Sequence, residues 1–119
     1  MANERIKSYR DLRVWQLAVE TYKVTNAFPK NEAYGLTGQM RRSAVSVAAN
    51  IAEGFGRESN GAFAQFLRTS QGSLKEYETH VLISQRVNLF DKEQAEILLN
   101  LAADIGKMLG SLIRKVISA

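Results

Sequence analysis

Apolar residues along this chain return every three or four positions, and no stretch alternates with the two-residue period of a strand. That spacing gathers them on one side of a helix, so the pattern predicts helices and no sheet. Four segments carry it. The first covers 9–28, with Ser8 as a candidate N-cap and Pro29 ending it. Leu12, Trp15, Val19 and Tyr22 form one apolar stripe there, and Val14, Leu17 and Val24 form a second. The next segment, 37–55, lies between Gly35 and Gly56. The third, 61–87, follows Ser59 or Asn60 and aligns Phe63, Leu67, Leu74, Tyr77 and Val81. Asn88 comes after it, a residue that tolerates the left-handed conformation of a helix end. The last segment, 92–117, opens on Asp91 and Gln94, the pair of a capping box. Its stripe of Ala95, Leu98, Ala102, Ile105, Leu109, Leu112 and Val116 is a bundle seam or a coiled-coil stripe.

Short connections between long helices make sequential helices antiparallel neighbours. The expected fold is therefore all-α, an antiparallel up-down-up-down four-helix bundle over 9–119, preceded by a basic arm over 1–8 that carries Arg5 and Lys7. No internal repeat or low-complexity tract interrupts it.

The second segment departs from the ordinary amphipathic pattern. Met40, Ala44, Val47, Ile51 and Phe55 make a core face, while Val45, Ala48, Ala49 and Ala52 carry apolar character further around. A helix apolar nearly all round is usually covered nearly all round. Either the bundle itself encloses this helix, or another subunit lies on its alanine side. Ser46, Asn50, Glu53 and Arg57 interrupt it at spacings of four, three and four, which places them in one stripe. The stripe has three readings: a hydrogen-bonded network at a helix or subunit contact, the lining of a ligand cleft, or a solvated face.

Composition narrows the chemistry. The 119 residues contain no cysteine and one histidine, His80, which excludes disulfides, thiolate catalysis and cysteine-bound zinc. A carboxylate–imidazole pair at Glu76 and His80 stands one helical turn apart, near Ser73, and an intrahelical hydrogen bond is the simpler use of it. No metal site or cofactor is expected. The glycines of "GFGR" close a helix rather than open one, and no nucleophile elbow or phosphate loop is present. The expected protein is not an enzyme; the alternative is a small-ligand or catalytic site at Ser46, Asn50 and Glu53. The opening "MANERIKSYRDL" lacks a signal-peptide core and no apolar run approaches membrane-spanning length, so a cytoplasmic protein is expected.

Net charge is +4. Arg41, Arg42, Arg57, Arg68 and Lys75, against Glu53 and Glu58, concentrate positive charge in the middle of the chain and are candidate contacts to RNA or DNA. Basic residues near the end of the last helix (Lys107, Arg114 and Lys115) complement its dipole.

Three stretches, "YRDLRVWQLAVE", "YGLTGQMRRSAVSVAANIAEGFGR" and "FLRTSQGSLKEYETHVLISQR", resemble the four-helix-bundle family encoded in intervening sequences of bacterial 23S rRNA genes. The likeness runs from Tyr9 to Phe90 through Asp11-Leu12, Trp15, Tyr34-Gly35-Leu36, Arg41-Arg42, Ser46, Asn50-Ile51-Ala52-Glu53-Gly54 and Gly72-Ser73, and more loosely through the last helix. It implies homopentameric rings of four-helix protomers. It also implies kinship with the accessory protein of diversity-generating retroelements, a basic pentamer that acts with nucleic acid and a reverse transcriptase. The implied partners are thus further copies of the chain, and RNA, DNA or a nucleic-acid-processing protein. Five copies would carry a net charge of about +20. Where many members have Ile-Pro, this chain has Val47-Ala48, which predicts a straighter second helix. Asn88 replaces a common glycine.

Overall fold

The computed structural model describes the backbone of residues 2–32 and 34–119, and the side chains of 13–32 and 34–119. Its helices are α1 (Ala2–Thr25), α2 (Leu36–Phe55), α3 (Asn60–Arg86) and α4 (Lys92–Ile117), with a short 3₁₀ turn at Lys30–Glu32. Each packs on its two neighbours in a square: α1 on α2 and α4, α3 on α2 and α4. This is the antiparallel four-helix bundle that the periodicity predicts.

Local chemistry sets the ends. Ser59 Oγ accepts a hydrogen bond from Ala62 N and starts α3. Asp91 Oδ1 accepts from Gln94 N at 2.8 Å while Gln94 Oε1 accepts from Asp91 N at 3.3 Å, so the capping box forms in both directions. Asn88 has a φ of 64°, the left-handed turn its residue type permits. Gly35 precedes α2 without a capping side chain, and Glu32 substitutes for it: its carboxylate accepts from Leu36 N at 3.1 Å.

α1 differs from its expected bounds. It begins at Ala2 rather than at 9, so the 1–8 arm is continuous with the helix from its second residue, and Ser8 is interior rather than a cap. Nothing between Ala2 and Leu12 breaks a helix: the stretch has neither glycine nor proline. The side chains of Arg5, Lys7, Ser8 and Leu12 lie outside the described residues. At its other end α1 stops at Thr25, and Phe28 N donates to Thr25 O just before Pro29.

The core follows the α4 stripe closely, with Ala95, Leu98, Ala102, Ile105 and Leu109 fully buried against Leu17, Met40, Val47, Ile51, Leu67 and Val81. Phe28 and Phe90, from the two loops at one end, pack with their rings tilted at 58° and centroids 4.8 Å apart and close that end. α1 and α3 are diagonal and their backbones do not meet, yet Tyr77 reaches across: its hydroxyl lies 2.6 Å from Thr21 Oγ1. α2 runs unbroken through Val47-Ala48, as expected without proline, and Ser70 Oγ donates to Val47 O at 2.9 Å.

Near their turn α2 and α3 approach closely. A Cβ on buried Gly54 would sit 2.8 Å from Phe63 Cδ1 and 3.2 Å from Phe66 Cβ. Gly54→Ala is therefore expected to lower stability. Overpacking costs about 1–3 kcal/mol, against at most about 1 kcal/mol gained in helix propensity. A urea midpoint equal to or above the wild-type value would contradict this close approach.

Candidate functional site

Two stripes compete on α1, and the structure buries only one. Val14 and Leu17 enter the core together with Thr21 and Thr25, whose hydroxyls donate to Leu17 O and Thr21 O. The other stripe faces out: Trp15 is 67% exposed, Tyr22 46% and Val19 44%. Beside them on α2 stand Val45, Ala48, Ala49 and Ala52, the alanine side that a single bundle leaves uncovered. The bundle itself does not enclose that side of α2. Together α1 and α2 form an apolar groove of about 620 Å³, rimmed by Lys23 and Asn26. A further hollow shares Tyr22, Val45 and Ala49 with it and carries it towards Gly38 and Arg42.

Arg41 fixes one edge of the groove. Its Nε donates to Thr25 Oγ1 at 2.9 Å, its Nη2 donates to Asn26 Oδ1 at 3.3 Å, and its guanidinium lies 4.4 Å from the centre of the Tyr22 ring. Tyr22 is thus presented as a positioned ring rather than a free one.

The polar stripe of α2 lies on the adjoining flank, against α3, and Ser46 at its start also borders the further hollow. Ser46 Oγ meets Ser73 Oγ at 2.8 Å, and Asn50 Nδ2 donates to Ser46 O at 2.8 Å and Ser46 Oγ at 3.0 Å. Glu53 and Arg57 pair at 3.9 Å along the surface, and Arg57 also stacks on Phe66 at 4.6 Å. The upper half of the stripe is a network between helices, and the lower half is a solvated ion pair. Glu76 and His80 form their expected pair at 3.3 Å, while Ser73 is engaged with Ser46 instead. The 54–57 glycines end α2, with Gly56 N donating to Glu53 O. No group of three or more acidic or histidine side chains among the described residues could hold a metal ion.

The five candidate nucleic-acid contacts do not share one face. Arg41 is committed to α1 and Arg57 to Glu53 and Phe66, whereas Arg42 points to solvent from α2. Arg68 and Lys75 lie across the bundle, in a cleft between α3 and α4 that also contains Lys107. The sequence pattern assigned Lys107 to the helix dipole alone. Its adjacency to Arg68 and Lys75 depends on the α3–α4 register, which no local pattern encodes. The Trp15–Val19–Tyr22 stripe was visible in the sequence; its exposure was not.

No helix among the described residues is long and apolar enough to cross a membrane. No curated protein matches the chain. Among solved structures, a protein of unknown function from the S23 ribosomal protein family of Bacteroides thetaiotaomicron has the same fold: the TM-score is 0.82 and the identity 24%, over 87% of this chain and 97% of that one. The family model of the 23S rRNA-intervening sequence protein matches residues 10–111. With a bundle of that architecture and a match over most of its length, the chain belongs to the 23S rRNA-intervening sequence protein family.

Proposed function

We propose that this protein works by assembly rather than catalysis: further copies of the chain cover the α1/α2 groove, and the assembled particle presents repeated basic surfaces to nucleic acid. The observation that carries this reading is the groove, where Trp15, Val19, Tyr22 and Val45 are all exposed side by side. Contiguous apolar patches of this kind mark interaction sites, whereas scattered exposed residues do not. Leu82, Ile83 and Val87 are also exposed, around the C-terminal end of α3. A groove that meets a different surface of the next copy makes a head-to-tail contact, which closes into a ring when the rotation permits. The family resemblance implies five copies. Association also multiplies a net charge of +4 per chain, strengthening the field felt by a polyanion.

A small-ligand or catalytic site at Ser46, Asn50 and Glu53 finds less support. Ser46 and Asn50 satisfy each other and Ser73, and Glu53 is half of a surface ion pair. Light scattering at micromolar concentration tests the assembly reading. A particle several times the 13.3 kDa of one chain is expected, and a single-chain mass would overturn it.

A further inference from the structure

We infer that the outward faces of α3 and α4 form a contact for the sugar–phosphate backbone of a nucleic-acid duplex, centred on Arg68, Lys75 and Lys107. The inference rests on the nucleic-acid reading above and gives it a place. These three cations line one cleft of about 690 Å³ whose sole acidic residue is Glu78, held 3.3 Å from Lys75. Arg68 and Lys107 have no acidic partner among the described residues, as is also true of Arg42, Arg86 and Lys115, but only these two share one cleft with a third cation. Helical rise sets Arg68 and Lys75 about 10 Å apart along α3, with Lys107 on the adjoining helix.

The floor of the cleft points the same way. Gly72 sits in the interior of the 27-residue α3, where a glycine weakens the helix, and a Cβ there would meet nothing within 4 Å. Packing within the chain therefore gives no reason for it. A bare backbone between Arg68 and Lys75 lets a bulky strand come close enough for both side chains to reach its phosphates. No aromatic side chain lines the cleft, so it offers nothing on which unpaired bases could stack. Phosphate contact without base stacking suits a duplex read through its backbone, independent of sequence.

The test is binding of the full chain to a short DNA duplex, an RNA duplex and a single strand of equal length, titrated across salt. Both duplexes are expected to bind more tightly than the single strand. Affinity should fall with a log–log salt slope of about −3 for each protomer engaged, one unit for each of three cations. Arg68→Gln/Lys107→Gln is expected to remove about two units of that slope and weaken binding more than tenfold. Gly72→Gln should melt no lower than the wild type yet bind several-fold more weakly, which separates the contact from folding. Lys30→Gln, in the 3₁₀ turn between α1 and α2, should change neither affinity nor slope. If the wild type binds no polynucleotide at low salt, the nucleic-acid reading and this site fall together. If it binds but the Arg68/Lys107 variant keeps full affinity, this site alone is overturned. Tighter binding of the single strand would also overturn it.

Discussion

Ala49→Glu is expected to break the assembled particle into single protomers without unfolding them. Ala49 lies exposed in the groove between Tyr22 and Val45 and makes no core contact, so the bundle itself should tolerate the change within about 0.5 kcal/mol. In the assembled state the new carboxylate would be taken out of water against apolar neighbours. An unpaired buried charge costs about 3–5 kcal/mol, or a hundredfold or more in the dissociation constant. Lys23 and Asn26 stand at the rim, Arg41 is already engaged with Thr25 and Asn26, and Arg42 stands two helical turns from Ala49 at the far end of the adjoining hollow. Trp15→Ala should weaken assembly by the smaller amount typical of truncating a large aromatic anchor, about 2–4 kcal/mol. The measurement is mass against concentration, with helicity and melting as the folding control. A glutamate variant that keeps the wild-type mass would show that the groove is not the contact.

The two α1 stripes explain why this surface had to be seen rather than read. Periodicity reports that a helix has an apolar face but not which face turns inward when there are two. By residue type, Trp15, Val19 and Tyr22 are the stronger candidates for the core, and Thr21 and Thr25 the weaker. The structure inverts that order because both threonines satisfy their hydroxyls locally, and Thr21 also meets Tyr77. A buried polar group that is fully paired carries little penalty, and small side chains let helices pack closely. α4 presented no such choice. Its single wide stripe, capping box and basic end all agree, and its bounds fall where the pattern puts them. Local signals, including Ser59 and Asn88, were equally legible because each acts within a few residues.

The candidate site was legible in composition but not in arrangement. Adjacent Arg41 and Arg42 look interchangeable in the sequence, yet one clamps α1 and the other faces solvent. That division depends on contacts 15 to 19 residues away, to Tyr22, Thr25 and Asn26. Arg68, Lys75 and Lys107 meet only through the α3–α4 packing register. The alanine side of α2 was the exception. Its surplus of apolar positions pointed to a side that four helices do not cover, and Val45, Ala49 and Ala52 are exposed there.

Tyr77 should make the bundle sensitive to alkali. The ring is fully buried, and burial pushes its hydroxyl far above the ordinary value of 10.0, outweighing the Thr21 hydrogen bond that pulls it down. The folded state therefore keeps the phenol neutral while the unfolded chain ionises near pH 10. Above that point the unfolded state binds fewer protons, so stability is complete below about pH 10 and falls by about 1.4 kcal/mol for each pH unit beyond it. Two units would remove about 2.7 kcal/mol, a large part of the stability of a domain this size. Tyr77→Phe separates this effect from other groups that titrate in alkali. At neutral pH it should cost about 1 kcal/mol for the lost hydrogen bond, since Thr21 keeps its donation to Leu17 O at 2.7 Å. As pH rises the wild type should lose that advantage and fall below the phenylalanine variant. Urea unfolding of both proteins at pH 8 and near pH 11.5 reads the crossing directly. Parallel losses in the two proteins would mean that the phenol ionises equally well in the folded core, and that the Thr21–Tyr77 contact is not shut away from water.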